Sequence, residues 1–152
     1  MRYWLVKADP SDISVDDLRN RSNGIIAWYG IRNYQSRNFM RDQMSVGDQI
    51  LFYHSSCKQP GIVGTAEVCK LAYPDSTQFD PNSKYFDLKA TSERPRWFNV
   101  DIKFVSKCQL ISIKELRSIP ALEGMRILQK GNRLSITPVD PAEWKHIIGI
   151  MQ

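Results

Sequence analysis

The stretch SVGDQILFYHSSCKQPGIVGTAEVCK, residues 45–70, contains a turn followed by two apolar segments. Residues 45–48 have the glycine and aspartate typical of a turn, and residues 49–54 and 61–70 are apolar enough to form strands. We expect these two strands to be neighbours in a sheet, because consecutive strands usually pair. Gly61 and Gly64 predict close backbone packing or a bulge in the second strand.

Further strands are predicted on both sides of this pair. A short buried strand is expected at residues 3–6 and a late strand at residues 133–139. Residues 100–104, VDIKF, alternate between apolar and charged side chains, which is typical of a strand with one buried face. Residues 72–96 are polar, contain three prolines and predict a long, lid-like loop.

Helices are predicted where the sequence carries caps. Ser14 and Asp17 resemble a capping box that opens a short helix to about residue 20, and Asp140 precedes a proline at the first position of a C-terminal helix. Two more helices are expected over residues 33–43 and after Ser112. Few connections are long enough for crossover helices, which favours an α+β fold with a strongly bent sheet or small barrel over a parallel, doubly wound sheet.

The composition indicates one globular domain, residues 1–152, with 42% hydrophobic and 24% charged residues. The sequence has no apolar run of about 18 residues, so we expect no association with a membrane. Cys57, Cys69 and Cys108 are widely spaced and form no CxxC pair, so neither a disulfide framework nor a zinc site is predicted. Reduced thiols favour a cytosolic or nuclear protein.

The net charge of +5 is modest, but its positive part is segregated. Five arginines and no carboxylate lie between residues 19 and 41, and residues 126–136 are also basic without an acid. Segregated positive charge suits an anionic partner such as a phosphate backbone, and solvated surface charge is the alternative.

Catalytic motifs are weak. His54 and Cys57 lie three residues apart, whereas a Cys–His dyad normally joins distant residues and needs a third group to orient the base. With His146 they offer too few ligands at zinc-like spacing, and the sequence has no glycine-rich phosphate loop. We therefore expect no catalytic residue, no metal and no cofactor.

The stretch Trp28–Arg41 is the main candidate for binding, because it combines aromatic, amide and guanidinium groups. Aromatic faces stack on bases, amides match base edges and arginines hold phosphates. Phe39, Trp4 and Trp144 are assigned to the core. The turn at residues 53–55 and Trp97 are further candidates for a pocket, and burial in the core is the alternative for each.

Six motifs resemble the EVE-domain family, in order and over the whole chain. They are Tyr3–Pro10 (YWLVKADP), Trp28–Phe39 (WYGIRNYQSRNF), Phe52–Cys57 (FYHSSC), Pro60–Gly64 (PGIVG), Ala72–Asp75 (AYPD) and Arg133–Val139 (RLSITPV). The sequence departs from the family at Ala8 and Asp9, where Ser and Glu are common.

The resemblance implies a PUA-like pseudobarrel of about five to six mostly antiparallel, strongly bent strands with short helices packed around it, related to YTH and ASCH domains. YTH domains read a methylated base in RNA with an aromatic cage, and EVE domains are associated with modified bases in DNA or RNA. By resemblance, Trp28 is a cage wall, Asn33 and residues 53–55 line the pocket, and Arg133 and Ser135 lie near its rim.

We therefore expect a non-catalytic protein that binds nucleic acid carrying a modified base, with DNA favoured and RNA possible. The expected base contacts are Trp28, Asn33, Tyr34, Tyr53, His54, Ser55, Trp97 and Ser135, and the expected phosphate contacts are Arg32, Arg37, Lys130 and Arg133. Replacing Trp28 by Ala is expected to weaken binding by about 1–3 kcal/mol without unfolding the protein.

Two other interpretations stay open at this point. One is an RNA-processing or protein-interaction module of the PUA-like type, and the other is an enzyme that acts on a nucleotide-like molecule through His54. We expect a monomer in the cytoplasm, with access to the nucleoid in a bacterium, or in the nucleus of a eukaryote.

Overall fold

A computed structural model describes residues 1–151 of the chain and contains one six-stranded sheet with short helices. The strands are β1 (Tyr3–Ala8), β2 (Ile25–Ala27), β3 (Gln49–His54), β4 (Gly61–Pro74), β5 (Phe98–Ser112) and β6 (Ile136–Val139). The α-helices are α1 (Val15–Asn20), α2 (Tyr34–Asn38), α3 (Ile113–Arg117) and α4 (Pro141–Met151). A π-helical turn (Phe39–Gln43) continues α2, and 3₁₀ turns lie at Ser22–Gly24, Ser76–Phe79, Pro120–Leu122 and Arg126–Leu128.

The strand order across the sheet is β2-β5-β4-β3-β1-β6. β1 and β3 are parallel, and the other four pairings are antiparallel. This mixed, mostly antiparallel sheet with short helices confirms the predicted PUA-like fold. The two edge strands of the described residues, β2 and β6, do not pair with each other, so the sheet is not closed into a barrel.

The long pair β4 and β5 is irregular, because its register shifts at four places. Gly64 lies at one of these shifts, and a Cβ atom there would approach the carbonyl oxygen of Ser106 to 2.3 Å. A Cβ atom at Gly61 would meet the carbonyl oxygen of Ile111 equally closely. The prediction of close backbone packing at both glycines is confirmed.

Two hydrophobic clusters cover the two faces of the sheet, because successive side chains of a strand point in opposite directions. On β3, Ile50 and Phe52 enter the cluster that contains Trp28, whereas Leu51 and Tyr53 enter the cluster beneath α3 and α4. The first cluster also holds Trp4 and Phe39, which are 1% and 7% exposed, so their assignment to the core is confirmed. Trp144 is half-buried and stacks on Tyr3, with 4.8 Å between the ring centroids.

The helix starts follow the predicted caps. Ser14 and Asp17 form a complete capping box at α1, and the Ser112 hydroxyl accepts from the Glu115 amide at α3. The helix predicted over residues 33–43 is present, although its second half is the π-helical turn. None of the helices within residues 1–151 is long and apolar enough to cross a membrane.

The long polar excursion is shorter than predicted, because β4 extends to Pro74. After the 3₁₀ turn at Ser76–Phe79, residues 80–96 run back to the start of β5 without a helix or strand. We call residues 80–96 the strap. Asp87, near its centre, accepts from the Trp97 indole N–H at 2.7 Å and pairs with Arg96 at 3.0 Å, which joins the centre of the strap to the residues directly before β5.

Candidate functional site

An open cavity of about 370 Å³ lies beside the carboxyl end of β1. Its lining comes from the end of β1 and the following turn, the segment after β2, and the strap. The lining residues are Lys7, Ala8, Asp9, Ser11, Asp12, Ile13, Arg21, Ile26, Ala27, Trp28, Tyr29, Gly30, Ile31, Lys84 and Tyr85. Its size falls in the range of small-molecule sites, roughly 300–1,000 Å³.

Trp28 forms one wall of this cavity and is also part of the core. Its backbone N–H donates to the Val100 carbonyl at 2.8 Å, which continues the pairing of β2 with β5. Its indole packs edge-on against Phe52, with 5.8 Å between centroids, and only 7% of the residue is exposed. The sequence left core and pocket open for Trp28, and the structure assigns it to both. Because the indole is buried, Trp28→Ala removes core contacts as well as a wall of the cavity.

Tyr85 of the strap reaches the same cavity because Gly30 leaves room for its ring. Gly30 has a φ of +85°, and a Cβ atom at this position would lie 2.7 Å from Cζ of Tyr85. The ring of Tyr29 meets Tyr85 edge-on, with 6.0 Å between centroids. Tyr29 and Tyr85 therefore give the cavity an aromatic side that the strap supplies.

Arg32 holds the strap in this position. Its guanidinium donates to the Tyr85 carbonyl from two nitrogens, at 3.2 and 2.8 Å, and pairs with the buried Asp75 at 3.1 Å. Further bonds to the Ile31 carbonyl and the Thr77 hydroxyl bring the total to five, as many as a guanidinium has N–H groups. Arg32 therefore has no N–H left for a phosphate, and its predicted role in phosphate binding is corrected to a structural one.

Asp75 is the centre of this arrangement and is completely buried. Burial by itself raises the pKa of Asp75, but hydrogen bonds from Gly30, Thr77 and Arg32 outweigh it and hold the pKa below its ordinary value. The carboxylate is therefore ionised, and it fixes Gly30 and Arg32 at the same point.

The cavity is lined by charges of both signs. Lys7, Arg21 and Lys84 are its cations, and Asp9 and Asp12 are its carboxylates. Partial burial lowers the pKa of Lys7, whereas hydrogen bonds from the Ser11 side chain and backbone lower the pKa of Asp9. Cationic and anionic groups at one rim can hydrogen-bond a polar ring edge and a neighbouring anion.

Four of the predicted site residues lie together, but away from the cavity. Asn33 caps α2 by accepting from the Ser36 amide at 2.9 Å. Tyr34 stacks on Trp97 with 4.9 Å between centroids, and the Arg37 guanidinium lies 4.7 Å from the Tyr34 centroid. Trp97 is 6% exposed and its indole N–H is used by Asp87, so it does not form a wall of the cavity.

The turn predicted at residues 53–55 consists of the last two residues of β3 and the residue after it, and these three residues do not face one cavity. Tyr53 points into the cluster beneath α3 and α4, on the face opposite Trp28, so its predicted contact with a base in the Trp28 cavity is corrected. His54 accepts from the Val15 backbone N–H at Nε2, 3.1 Å away, and burial lowers its pKa. The Ser55 amide donates to the Ala8 carbonyl at 2.9 Å, so this residue supports the end of β1 from behind.

The predicted late basic segment lies on the other side of β1. The Ser135 carbonyl accepts from the Lys7 amide at 2.8 Å, which places this segment next to a cavity residue through its backbone. Lys130 and Arg133 are exposed in the connection that precedes β6.

The sequence analysis did not identify most of the lining, including Lys7, Asp9 and Tyr85. Lys7 and Asp9 lie in the quoted motif YWLVKADP, so their position at the end of a predicted strand was a usable signal. Tyr85 lies in a polar loop without periodicity, and nothing local indicates that its ring packs on Gly30.

A family model described as EVE domain matches residues 2–150. The chain belongs to the EVE-domain family. Among curated relatives, thymocyte nuclear protein 1 of Gallus gallus is 36% identical over 166 residues, which cover 97% of this chain and 68% of that protein.

Solved structures agree with this EVE-family assignment. The crystal structure of a protein from Pseudomonas syringae is 43% identical and has a TM-score of 0.93, with 99% of each chain covered. The crystal structure of the human THYN1 protein in complex with DNA containing 5-methylcytosine is 34% identical and has a TM-score of 0.94. That comparison covers 100% of this chain and 98% of the human one.

Proposed function

We propose that this EVE domain is a non-catalytic reader of a modified base in DNA, and that the base enters the cavity between Trp28 and Tyr85. The observation that carries the proposal is an aromatic-walled cavity of about 370 Å³ at the end of β1, in a chain whose human relative was crystallised with DNA containing 5-methylcytosine. Such a base must be unstacked, either by flipping from a duplex or in a single strand.

The charges of the lining support this assignment. A carboxylate such as that of Asp9 accepts from an exocyclic amino group, and a lysine such as Lys7 donates to a ring nitrogen or carbonyl. Arg21 and Lys84, at the same lining, are cations that suit the flanking phosphates. Exposed Lys130 and Arg133 are proposed to extend this positive surface beyond β1.

The hydrogen bonding of His54 argues against a catalytic role for this residue. Its Nε2 atom accepts a hydrogen bond from Val15, and this nitrogen would have to be released before it acted as a base. If DNA is the ligand, the protein must be present where DNA is found, which is the cytoplasm of a bacterium or the nucleus of a eukaryote.

The proposal is tested by titrating the protein with oligonucleotides that differ in one methyl group, 5-methylcytosine against cytosine, at fixed salt. A methyl group that is fully buried contributes roughly 0.8 kcal/mol, or about fourfold in affinity. An RNA strand of the same sequence is the third ligand in the titration. Tighter binding of this strand would show that the protein binds RNA in preference to DNA. Equal affinity for all three strands would contradict a modified-base site.

Trp28→Phe locates the site without emptying the core. The smaller ring keeps the contact with Phe52 but loses part of the stacking surface, so we expect affinity to fall about fivefold, the lower end of base–aromatic stacking energies. Trp144→Phe is the matched control, because Trp144 is a half-buried tryptophan on the opposite face of the sheet. Equal losses in the two variants would contradict the cavity as the base site.

A further inference from the structure

A second aromatic surface, formed by Tyr34 and Trp97, lies at the end of the strap. Trp97 is buried between the Arg32 guanidinium, 5.3 Å from the centroid of its ring, and Tyr34, which stacks on it at 4.9 Å with an interplanar angle of 24°. Tyr34 is 47% exposed whereas Trp97 is 6% exposed. The stack therefore has one closed end at Arg32 and one end that faces solvent.

Two guanidinium groups flank this stack instead of covering its outer end. Arg37 Cζ lies 4.7 Å from the Tyr34 centroid and 5.8 Å from the Trp97 centroid, and Arg96 Cζ lies 5.8 and 6.0 Å from the same two points. A group that covered the outer face of Tyr34 would lie much farther from Trp97 than from Tyr34, because the Tyr34 ring would separate the two. Because both arginines are nearly equidistant from the two rings, they lie at the edges of the stack and leave the outer face open.

The stack of Tyr34 on Trp97, which we call the platform, is fixed in place before any ligand arrives. The backbone of Trp97 is bonded to Gln78 and its indole to Asp87, and the Tyr34 hydroxyl accepts from Arg96. A ring held in this way loses little conformational entropy when a second ring stacks on it.

The flanking arginines keep donors available. Arg37 uses its N–H groups for three hydrogen bonds, two to Asn38 and one to the Arg96 carbonyl, out of the five that a guanidinium can donate. Arg96 pairs with Asp87 and Tyr34, which neutralises part of its charge but leaves its Nε without a partner among the described residues. An exposed aromatic face between two guanidinium groups matches a nucleotide, whose base stacks while its phosphate accepts hydrogen bonds.

We propose that Tyr34, Arg37 and Arg96 form a second nucleotide site, which binds a base flanking the modified one on the same strand. The assignment rests on the proposed function for the identity of the strand. The two sites are physically linked, because the Arg32 guanidinium lies 5.4 Å from the Tyr85 ring at the cavity and 5.3 Å from the Trp97 ring under the platform. The occupant is single-stranded or locally opened at this position, since a stacked duplex base has no free face.

The experiment compares two ligands, 5-methyl-2′-deoxycytidine, which cannot reach the platform while it occupies the cavity, and a single-stranded hexanucleotide with 5-methylcytosine inside it, which is long enough to reach both. We expect Tyr34→Ala to lower the affinity for the hexanucleotide by about 5- to 150-fold, the range of one base–aromatic stack. Tyr34→Ala should leave the affinity for the nucleoside unchanged. Tyr34→Phe keeps the ring and should retain hexanucleotide binding.

Arg37→Ala tests the phosphate contact separately. Removing one phosphate contact should lower the slope of log affinity against log salt by about 0.7 for a single strand. Arg117→Ala, a change of an exposed arginine on α3, is the control and should leave the slope unchanged.

An unmodified hexanucleotide separates failure of this inference from failure of the proposed function. If the modified and unmodified strands bind equally and Tyr34→Ala weakens both, the platform stands and the modified-base cavity is wrong. If Tyr34→Ala binds every strand as the unchanged protein does, the platform is overturned. The platform is also overturned if Tyr34→Ala lowers the affinity for the nucleoside as much as the affinity for the hexanucleotide, because the effect would then be structural.

Discussion

Trp28 and Trp97 are equally buried, at 7% and 6% exposure, yet their surroundings differ. Trp28 has Phe52 at its edge and an open cavity beside it, whereas Trp97 is covered by Arg32 on one face and Tyr34 on the other. Burial alone therefore does not distinguish a tryptophan that can receive a ligand from one that supports another residue. The difference lies in whether a face of the ring is already occupied.

The largest expected effect comes from removing either indole. We expect Trp28→Ala and Trp97→Ala each to lower the free energy of unfolding by about 3–5 kcal/mol, because each empties a buried site. Urea denaturation followed by circular dichroism measures both values. A loss below about 1 kcal/mol for Trp28→Ala would show that its indole is not part of the core.

A smaller difference is expected between two arginines of the same segment, Arg32 and Arg37. Arg32→Ala leaves the buried carboxylate of Asp75 without its ion-pair partner, and because Arg32 is partly exposed we expect a loss of about 2–4 kcal/mol. Arg37→Ala should cost less than about 1 kcal/mol, since its bonds are to groups near the surface. Thermal unfolding ranks the two, and equal losses would contradict the anchoring role of Arg32.

Gly30→Ala tests whether the position of Tyr85 matters for the cavity. The added methyl group meets the Tyr85 ring in a backbone with positive φ, so we expect a stability loss of about 1–3 kcal/mol together with weaker binding of the modified oligonucleotide. Gly47→Ala is the control, because Gly47 also has a positive φ, +95°, but no atom within 4 Å of the added methyl. Gly47→Ala should lose stability without losing affinity. If Gly30→Ala also loses stability without losing affinity, Tyr85 is excluded as a wall of the site.

The smallest expected effect is the dependence of stability on pH through His54, which lies behind the Trp28 cluster. Burial lowers the pKa of His54 below its ordinary value of 6.5, although Asp16 and Asp17 oppose the shift. The unfolded chain therefore binds the proton more readily, and stability should be fully present above about pH 6.5 and decrease as the pH falls below it.

His54→Gln should flatten this part of the curve of unfolding free energy against pH, because its amide does not titrate. His146→Gln, which replaces an exposed histidine on α4, is the matched control. Identical curves for the two variants would show that His54 is not the titrating group.

The local elements were predictable where short-range chemistry sets them. The capping box at Ser14, the helix after Asp140 and the strand at residues 49–54 all depend on neighbours within a few positions. β5 was predicted only over residues 100–104, although it runs to Ser112. Most side chains beyond Phe104 are exposed or half-exposed, so the alternation that marks a half-buried strand ends there.

The candidate site was predictable only in part. Trp28 was identified because it lies in a stretch that combines aromatic, amide and guanidinium groups, and because the resemblance to the EVE family makes it a cage wall. Tyr53 was assigned to the same site as part of the turn at residues 53–55, but neighbouring residues of a strand point to opposite faces. Arg32 was assigned to phosphate because its partner, Asp75, is 43 positions away in the sequence.

Most strands and helices, and the motifs of the EVE family, could be recognised from the sequence, because caps, turns and hydrophobic patterns act over a few residues. The three-residue strand β2 was not predicted, and the aromatic face that stays open and the arginine that is already bonded became known from the fold. Those outcomes depend on contacts between distant segments, such as Gly30 with Tyr85 and Arg32 with Asp75, and no local pattern encodes them.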